Sequence, residues 1–425
     1  MGKPDSVSVI GGGVVGLCCA HEAMRRGMRV TVVERGMPGG DGCSLGNAGM
    51  VVPSHVTPLA APGMVGLGLR MLVTPGAPLA MRPRFDLDWL RWGWAFVRSA
   101  TAAHVRRCAP VLRDFHQLSR NRFEEMAGEL DFGFAPKGLL VLCRDEEALA
   151  DEVAAAEVAS GLGVPVERCD RHDVARLERG ARTDVVGALF YPHDCHLDPA
   201  RFVRAIHAEL VAGGVEFRWG STVTGWRWRA GGRVDAVEVS ASIDGGEDAI
   251  RADAFVLTAG VWSSSLMREL GIRLPLEPGR GYSVTVPAPP EMPEVCALLA
   301  GARVAVTPMG EDGLRVGGTM ELGTYEGPVH PARIRQILEA LGSYYPAFAG
   351  ADLGELAVWS GLRPCSPDGM PYIGRVGGVA NLVVATGHAM MGLSLAPATA
   401  VLVGQLLSGE PPSVALGTMS PSRFS

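Results

Sequence analysis

Lysine is nearly absent. It occurs only at positions 3 and 137, so the positive charge is almost all arginine, which reads as coding bias rather than function. There is no basic excess either: the formal net charge is −6 over 425 residues, which argues against nucleic acid as the main partner. The nine cysteines contain no C-x-x-C pair and are odd in number. Neither a disulfide framework nor a zinc site is therefore expected, and a reducing cytoplasm fits best. The densest set of potential ligands, "HDCH" at 193–196, has no second cluster to complete it. It reads as a polar strand end facing a pocket or solvent, not a metal site. No uninterrupted apolar run reaches the roughly eighteen residues of a spanning helix, and glycines break the apolar stretch 7–20, which is not read as a signal core. Internal repeats and low-complexity tracts are also missing.

What is present is the composition of a soluble globular protein, 47% apolar and 20% charged, in a chain long enough for two domains. The strand-like "VSVI" runs straight into Gly11-Gly12-Gly13, and from Val14 the apolar period becomes helical through Leu17, Ala20 and Met24. Arg25 and Arg26 suit a helix C-terminus, and Gly27 its C′ position. "RVTVVE" is a second buried strand, ending on Glu34. The whole is a right-handed β–α–β unit. In Gly11-x-Gly13-x-x-Gly16, Gly13 lets a pyrophosphate approach the free amides at Val14 and Val15, and Gly16 lets helix and strand pack closely. Glu34 is placed to accept hydrogen bonds from a ribose diol and disfavours a 2′-phosphate, leaving FAD or NAD. Only one such fingerprint exists, so either the protein is an NAD dehydrogenase or substrate reduces its flavin directly.

Further along, "FDLDWLRWGWAFVRSA", "VLRDFHQLSRNRFEEMAGEL" and "ALADEVAAAEVASGLG" read as helices and "KGLLVLCRD" as a strand. Residues 199–212 form a helix, and alternating strands run to Ile250. "AFVLTAGVWSSSLM" is a buried strand turning into a helix, "LEPGRGYSVTVP", "ARVAVTP" and "GLRVGGTMEL" are strands, and the C-terminal part returns to strand, glycine turn and helix. The expected architecture is α/β: a Rossmann-type FAD-binding domain from 1–62, 198–265 and 355–425, with an inserted, mostly antiparallel α+β substrate domain from 63–197 and 266–354. The apolar stretch 64–81 reads as a loop packed on its own domain.

"CSLGNAGMVVPSHVTPLAAPG" (43–63), "TAGVWS" (258–263), "SGLRPCSPDGMPYIG" (360–374) and "NLVVATGHAMMG" (381–392), with the N-terminal unit, resemble the D-amino-acid oxidase superfamily of flavoproteins, closest to bacterial D-amino-acid and D-hydroxyproline dehydrogenases. The resemblance covers nearly the whole chain. It implies non-covalent FAD and oxidation of a C–N bond of a D-amino acid or cyclic imino acid to the imine, by hydride transfer to flavin N5. Sarcosine-oxidase relatives attach flavin through a cysteine near this arginine segment, but the position of Cys365 after Arg-Pro looks wrong for that bond. By the same resemblance Ser44, Leu45, Gly46, Asn47, Ala48, Gly49 and Met50 run along the cofactor, and Val223 holds the adenine through its backbone. Ala259 and Gly260 close the phosphate side. Gly387, Met390, Met391, Gly392, Leu393 and Ser394 belong to a helix start facing the flavin, and Arg35 and Gly361 are further cofactor contacts. Arg363 is the family's carboxylate-binding arginine. Tyr282 is either a second carboxylate donor or a core tyrosine, His388 either a donor or structural, and His55 reaches the substrate side. No general base is required, since an amine entering neutral needs chiefly to be positioned. The closest relatives being dehydrogenases, the expected acceptor is a quinone or other carrier, with a peripheral contact at the inner face of the membrane left open. The alternatives are an oxidase of glycine, sarcosine or another secondary amine, and a flavin-binding subunit of a larger complex.

Overall fold

The computed structural model describes residues 2–424 apart from 39, 41, 74–78, 82–83, 85, 241–248, 288–290, 324–328 and 351–355. The β–α–β unit forms as its pattern predicts: β1 (Ser6–Ile10), α1 (Val14–Arg25) and β2 (Arg29–Val33), with Gly27 at φ 73° just past the helix. Gly11 sits at φ 110°. A Cβ on Gly16 would stand 1.9 Å from the Gly11 carbonyl oxygen, so only glycine lets the helix start this close to the strand.

β1 pairs in parallel with Ala254–Leu257 on one side and β2 on the other. The six-stranded sheet runs Tyr372–Val376, Val379–Thr386, Ala254–Leu257, β1, β2, Glu216–Arg218. Only the Tyr372–Val376 edge is antiparallel. One core unites this sheet with α1 and the helices Pro199–Ala212 and Gly392–Ser408. The helical stretch Ala389–Ser408 is apolar enough by length and composition to cross a membrane, yet most of it is buried inside the protein. The other face is covered by a three-stranded antiparallel sheet, Thr222–Arg229, Arg233–Ser240 and Ala249–Arg251, and the helix Ser263–Glu269.

The second body is a nine-stranded, mostly antiparallel sheet, in order Ala357–Cys365, Glu277–Val286, Leu314–Leu322, Val304–Pro308, Cys296–Leu299, Leu139–Cys143, Gly187–Tyr191 and Glu167–Asp170, with Leu79–Met81 added to Leu314–Leu322. Two segments cross the expected domain boundaries. Ala357–Cys365 hydrogen-bonds along Glu277–Val286, so it belongs to this sheet and not to the nucleotide-binding body. The helix Ala102–Ala127 buries Cys108, Leu112, Phe115 and Phe123 in the core of the parallel sheet. An amphipathic pattern marks a buried face without naming the element that covers it. The stretch 64–81 is not a loop: Met64–Val73 is helical and Leu79–Met81 is a strand. Its glycines lie inside the helix, where each weakens the signal without preventing it.

Candidate active site

A continuous cavity of about 850 Å³ runs between the two bodies, from the glycine turn to Arg363. At the first end the Glu34 carboxylate accepts from the Gly12 amide at 2.7 Å and from the Gly36 amide at 2.8 Å, which fixes it at the tip of β2. The Val14 amide donates to Ser44 Oγ at 2.9 Å, and the remaining first-turn amides of α1 have no partner inside the helix. Arg35 stacks on Trp262 with its guanidinium 3.6 Å from the ring, and Val223 lines the same end.

The segment 44–50 forms the middle of the wall. It is pinned from the large sheet by residues that sequence reasoning missed. Ser283 Oγ donates to the Gly46 carbonyl at 2.8 Å. Arg315 Nη1 donates to the carbonyls of Leu45 at 2.9 Å and Asn47 at 3.2 Å, while its Nε holds Thr285 Oγ1. Arg315 follows Leu314 at the start of the strand Leu314–Leu322, where nothing in the local pattern marks it as a support for the loop. From the far side, Met50–Val51 pairs with Cys195–His196, and Asp194 accepts from the Ser54 amide and hydroxyl. The "HDCH" segment thus turns its Asp194 and Cys195 side chains inward, to brace the loop, rather than toward a pocket or solvent. Among the described residues no group of three or more His, Cys, Asp or Glu is placed to hold a metal ion.

At the other end, Arg363 Nη1 donates to the Thr319 carbonyl at 3.0 Å. Its guanidinium lies over Gly281, where a Cβ would stand 2.2 Å from the guanidinium carbon. Burial pulls its pKa down, the neighbours acting on its charge are the Cys43 and Cys365 thiols, and among the described residues no carboxylate pairs with it. A desolvated cation without a counter-ion is a site for an anion.

Tyr282 is placed otherwise than as a carboxylate donor. Its ring touches the cavity wall, but its hydroxyl donates to Glu321 Oε2 at 2.9 Å within the core of the large sheet. Alternation along Glu277–Val286 sends Gly281 and Ser283 toward the cavity and Tyr282 and Val284 to the opposite face. The His388 ring is held at 2.9 Å from Thr399 Oγ1, whose own proton goes to the Leu395 carbonyl, so Nε2 carries the imidazole proton. Burial pushes its pKa down to about 3, so the ring is neutral. His55 lies in the cavity wall, its side chain exposed rather than buried.

Gly11, Gly13, Val14, Val15, Glu34, Arg35, Ala48, Met50, Ala259, Gly260, Met390, Met391, Gly392 and Leu393 line the cavity along with the residues above. Gly16, Gly49, Gly361, Gly387 and Ser394 stand behind the wall: Ser394 Oγ, for example, accepts from the Val52 amide. The cavity therefore meets two helix N-termini, α1 and Gly392–Ser408, each rich in free amides and partial positive charge. These residues fit FAD. A carboxylate is set for a ribose, amides for a pyrophosphate, and a second helix start for an electron-rich ring edge.

One cavity must thus take both a long dinucleotide and an anionic second ligand, the requirement of an oxidoreductase that keeps its cofactor beside its substrate. The chain belongs to the FAD dependent oxidoreductase (DAO) family, whose model matches residues 6–406. It is 33% identical over 431 residues to a D-amino acid dehydrogenase of Rhizorhabdus wittichii, covering 98% of this chain and 100% of that one. A D-amino acid dehydrogenase of Cereibacter sphaeroides is also 33% identical, covering 98% and 95%. Among solved structures, glycine oxidase from Geobacillus kaustophilus superposes with a TM-score of 0.78 at 23% identity and full coverage of both chains. L-proline dehydrogenase from P. horikoshii gives 0.69 at 19%, covering 100% and 98%. These two establish the fold.

Proposed function

We propose that the protein is a D-amino-acid dehydrogenase, oxidising the C–N bond of a D-amino acid or a cyclic imino acid to the imine. The observation that carries this is Arg363, half-buried in the cavity wall with no carboxylate paired to it among the described residues. Its planar fork suits a carboxylate bidentately and so fixes orientation as well as affinity. Similarity along the full length, at 33% identity, to two D-amino acid dehydrogenases supports the substrate class. Bound FAD supplies the hydride acceptor. The protein's own part is to anchor the carboxylate on Arg363, to hold residues 44–50 rigid through Ser283 and Arg315, and to keep His388 neutral beside the helix start. An amine that enters neutral needs no side-chain base, and positioning carries most of the rate.

Electrons then pass to a quinone or another carrier. The helix Leu87–Ser99 supports a membrane-proximal acceptor, because Leu87, Leu90, Trp94 and Val97 are 66%, 56%, 65% and 48% exposed along one face. Anaerobic mixing of the yellow holoenzyme with D- and L-amino acids, proline and hydroxyproline derivatives, glycine and sarcosine tests the substrate reading. Bleaching by D-amino or D-imino acids is expected. Bleaching by glycine or sarcosine alone would replace it with an amine oxidase, and no bleaching by any would leave a flavin-binding subunit.

A further inference from the structure

Among the described residues, the non-glycine positions with a left-handed backbone are Arg303 at φ 52°, Thr319 at φ 58° and Ala389 at φ 48°. All three stand in the wall of the same cavity. Such conformations cost free energy, persist where surrounding structure imposes them, and gather at ligand sites. Thr319 is tied to Arg363 through its carbonyl, and Ala389 opens the turn that leads into Gly392–Ser408. Arg303 serves neither end.

Arg303 closes the turn between Cys296–Leu299 and Val304–Pro308, the strand beside Leu314–Leu322. Val304 enters the core shared with Ile337, whereas the cross-strand partners Leu298 and Ala305 line the cavity. Arg303 itself is exposed, and among the described residues no hydrogen bond or ion pair occupies its guanidinium. The acid whose charge it feels, Glu152, lies outside the cavity wall. Among the described residues of the wall the only carboxylate is Glu34, at the glycine-turn end. Both arginines meet the same stretch of strand. Arg363 donates to the Thr319 carbonyl at 3.0 Å, and the Arg303 carbonyl lies 3.6 Å from where a Cβ on Gly318 would stand. A ligand anchored on Arg363 therefore has a second arginine one strand away.

We propose that Arg303 binds a carboxylate on the substrate's side chain, so that the preferred substrates are acidic D-amino acids. Arg363 takes the α-carboxylate and Arg303 the distal one. The inference rests on the reading of Arg363 given above. An uncharged side chain would leave the second guanidinium unmatched among Leu139, Leu298 and Ala305, whereas a carboxylate meets its fork with no acid of the wall competing. Glycine would occupy the left-handed position without strain, yet the position holds the one side chain that can make this contact.

The test compares near-isosteric pairs, D-glutamate with D-glutamine and D-aspartate with D-asparagine, by dye-coupled turnover of the holoenzyme. Wild type should favour the acid over its amide in kcat/KM roughly 10-fold in at least one pair, the scale of a hydrogen bond to a charged group. Arg303→Leu should erase that ratio, and Arg303→Lys should keep much of it. The ratio should also shrink as salt rises, because the contact is open to solvent. Arg303→Gly relieves the backbone, so it should melt no lower than wild type while losing the preference as the leucine variant does. Wild-type ratios near one, or ratios that survive in both the leucine and glycine variants, make Arg303 a solvated surface charge. Oxidation of the amides would then leave the Arg363 reading standing. If Arg363→Leu oxidises both members of a pair as wild type does, the Arg363 reading falls, and this proposal with it.

Discussion

Arg363 is the residue on which substrate chemistry turns. Replacing it with leucine keeps the bulk over Gly281 but removes the charge, so kcat/KM for amino acids should fall roughly 100-fold or more, about 3 kcal/mol. FAD content should stay near normal, and activity within a few-fold of wild type would make the arginine structural. Covalent attachment through Cys365 is opposed by its surroundings: the thiol packs with Trp92, Met320 and Leu322, outside the cavity wall, and burial pushes its pKa up to about 12. Asp194 gives a residue-scale pH prediction. Burial pushes its pKa from 3.8 up to about 7, outweighing the opposing hydrogen bonds from Ser54. The folded state therefore binds the extra proton, and stability should decline as pH rises between those two values, the penalty being complete above the upper one. Asp194→Asn resembles the protonated acid, accepting from the Ser54 amide and donating to its hydroxyl. Its thermal midpoint should lack that decline and exceed wild type at alkaline pH. A parallel pH profile in the two proteins would show that Asp194 is not the group responsible.

Elements carry what single residues cannot. The loop 44–50 has no regular structure beyond its last residue, and its shape is imposed by two carbonyl contacts to Arg315 and one to Ser283. Arg315→Leu leaves those carbonyls without their charged donor, so apoprotein should bind FAD more weakly by about 1.5–3 kcal/mol, while residual kcat at saturating FAD survives. Titration of FAD into apoprotein measures this, and unchanged affinity would mean the loop holds its shape unaided. The same loop explains what was legible in the sequence. The unit from β1 to Glu34 was readable because its parts are adjacent along the chain: strand, glycines, helix face and acid each constrain the next. Arg363 was readable through a family resemblance, because the segment 360–374 that carries it is contiguous in sequence. Arg315 and Ser283 were hidden because their roles arise across strands, each depending on which face of Glu277–Val286 or Leu314–Leu322 looks at the cavity. Tyr282 stayed undecided between substrate ligand and core tyrosine for the same reason, since one residue of register separates the two, and the structure places it in the core. The helix Met64–Val73 went unread because its glycines imitate a loop.

At the scale of the molecule, the open question of the reaction is where the electrons go. One dinucleotide fingerprint serves 425 residues, so NAD⁺ has no second site of that kind to occupy. The helix Leu87–Ser99 links the substrate end to the surface. On its inner side Trp92 donates to the Cys365 carbonyl at 2.9 Å, two residues from Arg363, and on its outer side Leu90 and Trp94 are more than half exposed. Of the two exposed arginines that flank that apolar face, Arg91 stands 3.9 Å from Asp88, which leaves Arg98 as the charge that would favour an anionic lipid surface. The holoenzyme should therefore turn over rapidly with an artificial dye or a quinone analogue and produce hydrogen peroxide slowly in air. It should also sediment with anionic vesicles, and replacing Leu90 and Trp94 with serine should abolish sedimentation and slow reduction of a vesicle-embedded quinone, while leaving turnover with a water-soluble dye unchanged. That split separates docking from catalysis, since damage to the active site would lower both rates. Peroxide formed at the rate of dye reduction would make the protein an oxidase, for which the apolar face needs no membrane.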